Sequence, residues 1–349
     1  MHNTSVITRQ NNQIFSIILN RTNVINSLDV EMIRLIQKAL NDAESSSRIR
    51  LVLLMGNGDK GFCAGGDVKT IYRAVKQGDM DRAMEFFKEE YALDLRIFSF
   101  PKPVIVLAHG ITMGGGLGLA AGADMVMATE KTVMAMPETR IGFFPDVGAT
   151  GWMFDKCPAG YPEFLGLTGY RMEGIECFRL GLASHMIYRE ELPGFVQELE
   201  ALSGNLSPDR SAAVRDLYSA FGSLRQENDQ ANPGMDEWVR TCFSGQTSVE
   251  KIISGLSGCS QQKELREDAL RRLSGCSPTA LVLTLSLLRQ NENRPIEEVY
   301  QADLKAARFI TGHPDYTEGI RAQLVDRDNH PVWQPDSFEK VRLPISITG

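Results

Sequence analysis

The sequence has little of what marks a membrane protein, a crosslinked secreted scaffold or a nucleic-acid binder. No run of about 18 apolar residues occurs, so no membrane span is predicted. Basic residues are outnumbered, 37 Lys and Arg against 44 Asp and Glu, and the net charge of -7 excludes a strongly basic nucleic-acid footprint. Local basic pockets stay open, because net charge says nothing about distribution. The six cysteines, at 63, 157, 177, 242, 259 and 276, form no C-x-x-C pair, and no His stands at zinc-finger spacing from them. Free thiols in a reducing compartment are expected, and no metal site. The first residues, MHNTSVITRQNNQ, hold no secretory apolar stretch, and the closing SITG is no retention or peroxisomal address. A cytoplasmic protein is expected, and a mature organellar one would read the same. There is no internal repeat, no low-complexity tract, no G-x-S-x-G elbow and no Walker A loop.

What is present is a chain of 349 residues, 43% hydrophobic and 23% charged, long enough to bury a large core unaided. Short apolar runs at 14–19, 50–55, 103–108 and 124–128, rich in Val and Ile or bounded by Gly, Asn and Pro, predict strands. Helical spacing of Met32, Ile33, Leu35, Ile36, Ala39 and Leu40 predicts a helix over 29–43 with Asp29 as N-cap, and further helices are predicted over 79–98 and 114–122. After about residue 190 the strand signals stop, and 193–221, 234–243, 247–256, 262–274, 278–290 and 295–310 all read as helical, punctuated by Ser207-Pro208, Asn232-Pro233 and Ser277-Pro278. The expectation is an α/β core over 1–195 carrying a helical C-terminal region over 196–349.

Three segments carry chemistry. In 57–72, NGDKGFCAGGDVKTIY, Gly61, Gly65 and Gly66 follow a strand and lead into Asp67, where a helix would aim free N–H groups over the loop. In 110–124, GITMGGGLGLAAGAD, Gly114, Gly115 and Gly116 are costly to order and suggest a place where something is admitted. The spacing Gly116, Gly118, Ala121 also matches a dinucleotide fingerprint, but the acid expected about 20 positions on is not convincingly placed. In 134–151, MAMPETRIGFFPDVGATG, Glu138 and Asp146 stand in apolar surroundings, and Pro137, Gly142 and Pro145 exclude a continuous helix. Two carboxylates brought together there would raise one another's pKa, as acid–base or nucleophilic catalysis needs.

In their order and spacing the three segments resemble the crotonase (enoyl-CoA hydratase/isomerase) superfamily. The resemblance implies a spiral of ββα units and two backbone N–H donors, which motif position puts on Gly66 and Gly115, gripping an acyl thioester oxygen. Losing one such donor costs about 3–4 kcal/mol of transition-state stabilisation. It also implies Ala64, Gly65, Asp67, Gly114 and Glu90 as substrate-contacting positions, with an exposed helix acid the plain alternative for Glu90. Hydratases of the family carry a catalytic Glu just after the triple glycine, where this chain has Gly118, and tend to have Gly where it has Asp146. The pair Glu138 and Asp146 in PETRIGFFPDVG, with SVEKIISGL, SPTALVLTL and EGIRAQLVDRDNHPVWQP further on, resembles the 3-hydroxyisobutyryl-CoA hydrolase branch, which implies thioester hydrolysis in valine catabolism. The stretch around 190–245 matches that branch poorly.

On this resemblance Glu138 would attack the thioester carbonyl or activate a water, and Asp146 would orient the water or the substrate's 3-hydroxyl. No cofactor is implied, since coenzyme A arrives with the substrate; Lys60, Lys69 and Arg73 are candidates for its phosphates. A homo-oligomer through C-terminal helices is implied, unless the long tail covers its own subunit. Cys63 reads as a buried small residue and His109 as a core His bonded to backbone. The rival readings are a hydratase or isomerase of the same superfamily, a non-catalytic acyl-CoA-binding protein, and a dinucleotide-binding oxidoreductase.

Overall fold

The computed structural model describes residues 4–222 and 232–348. The first three residues of the polar N-terminal stretch, 223–231 within the poorly matching 190–245, and Gly349 of SITG lie outside the described residues. Packing gathers the chain into two compact units. The first is Met1–Gly66, Ala92–Met134 and Met172–Gln230; the second is Asp67–Tyr91, Ala135–Arg171 and Ala231–Gly349.

The first unit is built on strands β1 (Val6–Asn11), β2 (Ile14–Leu19), β3 (Leu51–Gly56), β4 (Gly61–Cys63), β5 (Val104–Ala108), β6 (Ile111–Met113), β7 (Met125–Ala128), β8 (Val133–Ala135), β9 (Met172–Glu173) and β10 (His185–Met186). A six-stranded sheet runs β1-β2-β3-β5-β7-β10, and a four-stranded one β4-β6-β8-β9. β1 and β2 form an antiparallel hairpin, Val6 opposite Leu19, and each later strand of the large sheet joins in parallel. β5 is buried along its whole length, as a parallel strand covered on both faces must be. Helix Val30–Ser45 starts where the Asp29 carboxylate accepts from the Met32 N–H at 2.8 Å and buries Met32, Ile33, Ile36, Ala39, Leu40 and Ala43.

β3–β4, β5–β6 and β7–β8 each pair a strand of the large sheet with a three-residue strand of the small one, followed by a helical segment: Val68–Lys76, Gly115–Ala121 and Glu138–Ile141. That is a repeating ββα order. It leaves no sequence repeat because three-residue strands are too short to carry a period.

The units interleave along the chain, whereas composition put one division near residue 195. The reason lies in helices Leu192–Ser203 and Arg210–Phe221. Their Phe195, Leu199, Leu217 and Phe221 share one core with Leu51, Leu53, Ile105, Leu107, Met125 and Met127 of the large sheet. Helical sequence resumes as the first unit's cover before it builds the second unit.

The second unit is helical. Helices Pro233–Phe243, Val249–Gly258 and Pro278–Asn291 start on Asn232, Ser248 and Ser277, whose side chains accept from N–H groups three residues on. Pro278–Asn291 buries Leu281, Leu283, Leu285, Leu287 and Leu288 on several faces, as a central helix does. Helix Ile296–Thr311 buries Val299, Tyr300, Asp303, Ala306, Ala307 and Ile310 on one stripe, and Asp303 is the one ionisable carboxyl in it.

Candidate active site

The glycine loops lie side by side in the first unit. Ala64 N–H donates to Ile25 O and Leu28 N–H to Gly65 O, both at 2.9 Å, which fixes the loop leaving β4. Gly66 forms an isolated parallel bridge with Leu28 through that Gly65 carbonyl, so the Gly66 amide itself is directed the other way. Gly65 has φ +94°, and a Cβ there would stand 3.0 Å from Met113 O and 3.3 Å from Gly115 N. Any side chain is therefore both strained and crowded, and Gly114 and Gly115 are immediate neighbours of this loop. Gly115 opens helix Gly115–Ala121, where early N–H groups have no intrahelical acceptor. Gly118 lies inside that helix.

Asn26, absent from the sequence reading, holds the frame. Its buried amide donates to Asn57 O, Gly61 O and Phe62 O at 3.0–3.2 Å, and its carbonyl accepts from Arg21 N–H at 2.9 Å. Cys63 is fully buried with its thiol 3.2 Å from Asn26 O. His109 Nε2 lies 3.0 Å from Gly58 O, and burial pushes its pKa down, the behaviour of a core His bonded to backbone.

The acids belong to the second unit. Glu138 is 9% exposed and Asp146 6%, so neither is a solvated loop carboxylate. Glu138 begins the 3-10 turn Glu138–Ile141, and Asp146 precedes helix Ala149–Lys156. The Tyr91 hydroxyl donates to Asp146 Oδ2 at 2.8 Å. Val147, with φ +51°, occupies a region β-branched residues rarely visit. Two donors, Trp152 Nε1 and the Tyr300 hydroxyl, hold its carbonyl at 2.9 Å each, and the following Gly148 N–H donates to Asp303 Oδ2 at 2.8 Å. Phe143, between the two acids in sequence, stacks on Phe144 and Phe87 with ring centroids 4.7 and 5.3 Å apart.

This dry surrounding decides the electrostatics. Burial, then the neighbouring Asp146 charge, holds Glu138 well above the usual carboxylate range. Burial lifts Asp146 to about 7 against the lowering effect of the Tyr91 hydrogen bond. Burial also raises Asp303, against the Gly148 N–H and with a contribution from Asp146. Burial thus raises all three carboxyls, and the Asp146 charge adds to the rise of Glu138 and Asp303, the direction acid–base chemistry near neutrality needs.

The predicted residues therefore form two sets. Ala64, Gly65, Gly66, Gly114 and Gly115 come together in the first unit; Glu138 and Asp146 do so in the second, which also holds Glu90 and, at the start of helix Val68–Lys76, Asp67. Glu90 is buried, not an exposed helix acid, and its charge reaches Tyr91 beside it. Tyr91, Asp303, Tyr300 and Tyr316 were missed. Asp303 had a readable signal, an acid on an apolar helical stripe; the tyrosines looked like ordinary core.

Comparison with known proteins gives the family. The family model described as enoyl-CoA hydratase/isomerase matches residues 14–344. The chain belongs to that family. Among its relatives, the human mitochondrial 3-hydroxyisobutyryl-CoA hydrolase is 36% identical over 326 residues, covering 93% of this chain and 83% of the relative. The Danio rerio protein of the same name is 35% identical over 327 residues, covering 93% and 84%. Among solved structures, a carnitinyl-CoA dehydratase from Mycobacterium thermoresistibile aligns with TM-score 0.86 at 30% identity, covering 99% of this chain and 95% of that one. An enoyl-CoA hydratase from Rhodobacter sphaeroides aligns at 0.84 and 30%, covering 97% and 95%. The mixed α/β fold with its helical C-terminal region is thus the family's.

Proposed function

We propose that this family member hydrolyses an acyl-CoA thioester and that its substrate is 3-hydroxyisobutyryl-CoA. The observation that carries the reading is the position of the acids. Gly118 has no side chain where hydratases carry a carboxylate, while Glu138 and Asp146 are buried on one loop with raised pKa. Relatives named for this hydrolase at 35–36% identity over 93% of the chain support the same choice.

In the reaction the thioester oxygen takes hydrogen bonds from the Gly66 and Gly115 amides, which strengthen as the carbon becomes tetrahedral and charge builds. Ionised Glu138 adds to the carbonyl carbon or removes a proton from the water that does. The C–S bond breaks and the thiolate takes up a proton; on the covalent route water then cleaves the transient Glu138 anhydride, restoring the carboxylate, and the acid and free CoA leave. Asp146 orients the water or the substrate hydroxyl and shares the proton of the pair. Ala64, Gly65, Asp67, Gly114 and Glu90 border the bound acyl thioester. Lys69 and Arg73, with Tyr72, Leu324, Val325 and Arg327, line a cleft of ≈430 Å³, and these cations suit the phosphates of CoA; Lys60 is exposed elsewhere. No described helix is long and apolar enough to cross a membrane. Six unpaired cysteines suit a reducing aqueous compartment, the cytoplasm or an organelle's matrix.

A hydratase or dehydratase reading draws on the two solved structures above, proteins named for those activities. The test offers the protein 3-hydroxyisobutyryl-CoA and crotonyl-CoA and follows free thiol and enoyl absorbance separately. Thiol release from the former with no enoyl change from the latter is expected. Hydration of crotonyl-CoA without thiol release contradicts the reading, and no turnover of any acyl-CoA leaves a binding protein instead.

A further inference from the structure

Three tyrosines stand around the Asp146 loop, and two are spoken for. Tyr91 donates a hydrogen bond to Asp146 and Tyr300 one to Val147 O. The hydroxyl of Tyr316 has no hydrogen-bond partner among the described residues, although the residue is only 1% exposed. A buried hydroxyl left unmade is costly, on the order of 1–3 kcal/mol, so its persistence asks for a ligand.

Its placement is fixed. A Cβ on Gly142 would meet Asp315 O at 2.2 Å, and one on Gly319 would meet the Ile141 backbone at 2.3 Å. Helix Pro314–Ile320 therefore lies backbone to backbone on the turn that starts at Glu138, with contacts on both sides of Tyr316. Asp315 anchors the same helix by accepting from Ser277 Oγ at 2.5 Å and Gln334 N–H at 2.7 Å. The helix then passes into one π-helical turn, Arg321–Val325, an irregularity frequent at functional sites. The Tyr316 ring lies 5.6 Å from Phe143, and the Asp146 charge reaches its hydroxyl and helps to keep it protonated. Two buried acceptors influenced by the same Asp146, Glu138 Oε2 and Asp303 Oδ1, also lack partners among the described residues.

A phenol that can donate and carboxyl oxygens that can accept, each influenced by the same Asp146, fit an alcohol, which donates and accepts at once. We infer that Tyr316 recognises the hydroxyl group of the acyl chain and so sets the preference for hydroxylated over unsubstituted acyl thioesters. This rests on the thioesterase reading above.

The test compares wild type and Tyr316→Phe on 3-hydroxyisobutyryl-CoA and isobutyryl-CoA by thiol release. Where isobutyryl-CoA turns over too slowly, dissociation constants of both thioesters are measured with and without the change on the Glu138→Gln background. Loss of the hydroxyl contact is expected to lower kcat/KM, or affinity, for the hydroxylated thioester roughly 10- to 100-fold. The value for isobutyryl-CoA should stay within about twofold. An equal loss on both thioesters makes Tyr316 a structural residue and overturns the inference, as does no loss on either, which leaves its hydroxyl to water. A wild-type protein inert toward 3-hydroxyisobutyryl-CoA sinks the thioesterase reading itself, a result distinct from either.

Discussion

In the proposed reaction the working groups around Gly65 and Gly115 are main-chain amides; around Glu138 and Asp146 they are side chains whose pKa burial raises. The first arrangement needs absent side chains, a positive φ at Gly65 and the Asn26 brace. The second needs dense ones: stacked Phe143, the Tyr91 hydroxyl and a strained Val147 pinned by Trp152 and Tyr300. Amides do not titrate in the working range, so any pH dependence between about 4 and 9 should originate in the acid loop. Damage to the glycine loops should cost rate without moving the pH profile. That separation can be broken experimentally.

Apart from loss of Glu138 itself, the largest effect should follow Gly65→Ala, which forces a methyl against Met113 O and a side chain into the left-handed region. A fall in kcat on the order of 10²–10³ is expected, with the pH–rate profile unmoved. A displaced profile would show that the glycine loops and the acids are not separable. Next comes Tyr91→Phe. Its hydrogen bond favours the ionised form of Asp146, so losing it raises that pKa from about 7. The rising limb of activity, which follows loss of a proton from the acid pair, should move to higher pH.

Stability gives a third comparison. Asp146 is raised in the folded chain, so its contribution is fully present below the unfolded value near 4 and lost as pH rises toward about 7. Asp146→Asn keeps an acceptor for Tyr91 without the charge. Its Tm should exceed that of wild type at pH 8, and the gap should close at pH 4–5, as thermal melts at both values will show. The smallest effect is expected from Lys69→Ala, at an open cleft: KM up about threefold, kcat unchanged, and the difference shrinking in high salt.

How much of this was legible depended on what each element leaves in sequence. The apolar runs that became β2, β3, β5 and β7 announced themselves because buried parallel strands are continuously hydrophobic. β4, β6, β8, β9 and β10, at two or three residues, did not, and with them the ββα order stayed hidden outside the family resemblance. The motif glycines and the pair Glu138 and Asp146 were readable as types at a spacing. Tyr91 and Tyr316 were not, because a core aromatic and an aromatic with a working hydroxyl look alike until packing shows what surrounds the hydroxyl. Asp303 lies 157 residues beyond Asp146, and only the fold brings its charge within reach.

One measurement bears most directly on the central claim that Glu138 drives thioester cleavage: thiol release from 3-hydroxyisobutyryl-CoA by wild type and Glu138→Gln, alongside the affinity of each for the thioester. Turnover should drop at least about 10³-fold in the variant while affinity changes little. A Glu138→Gln protein that still frees CoA at near the native rate would contradict the account.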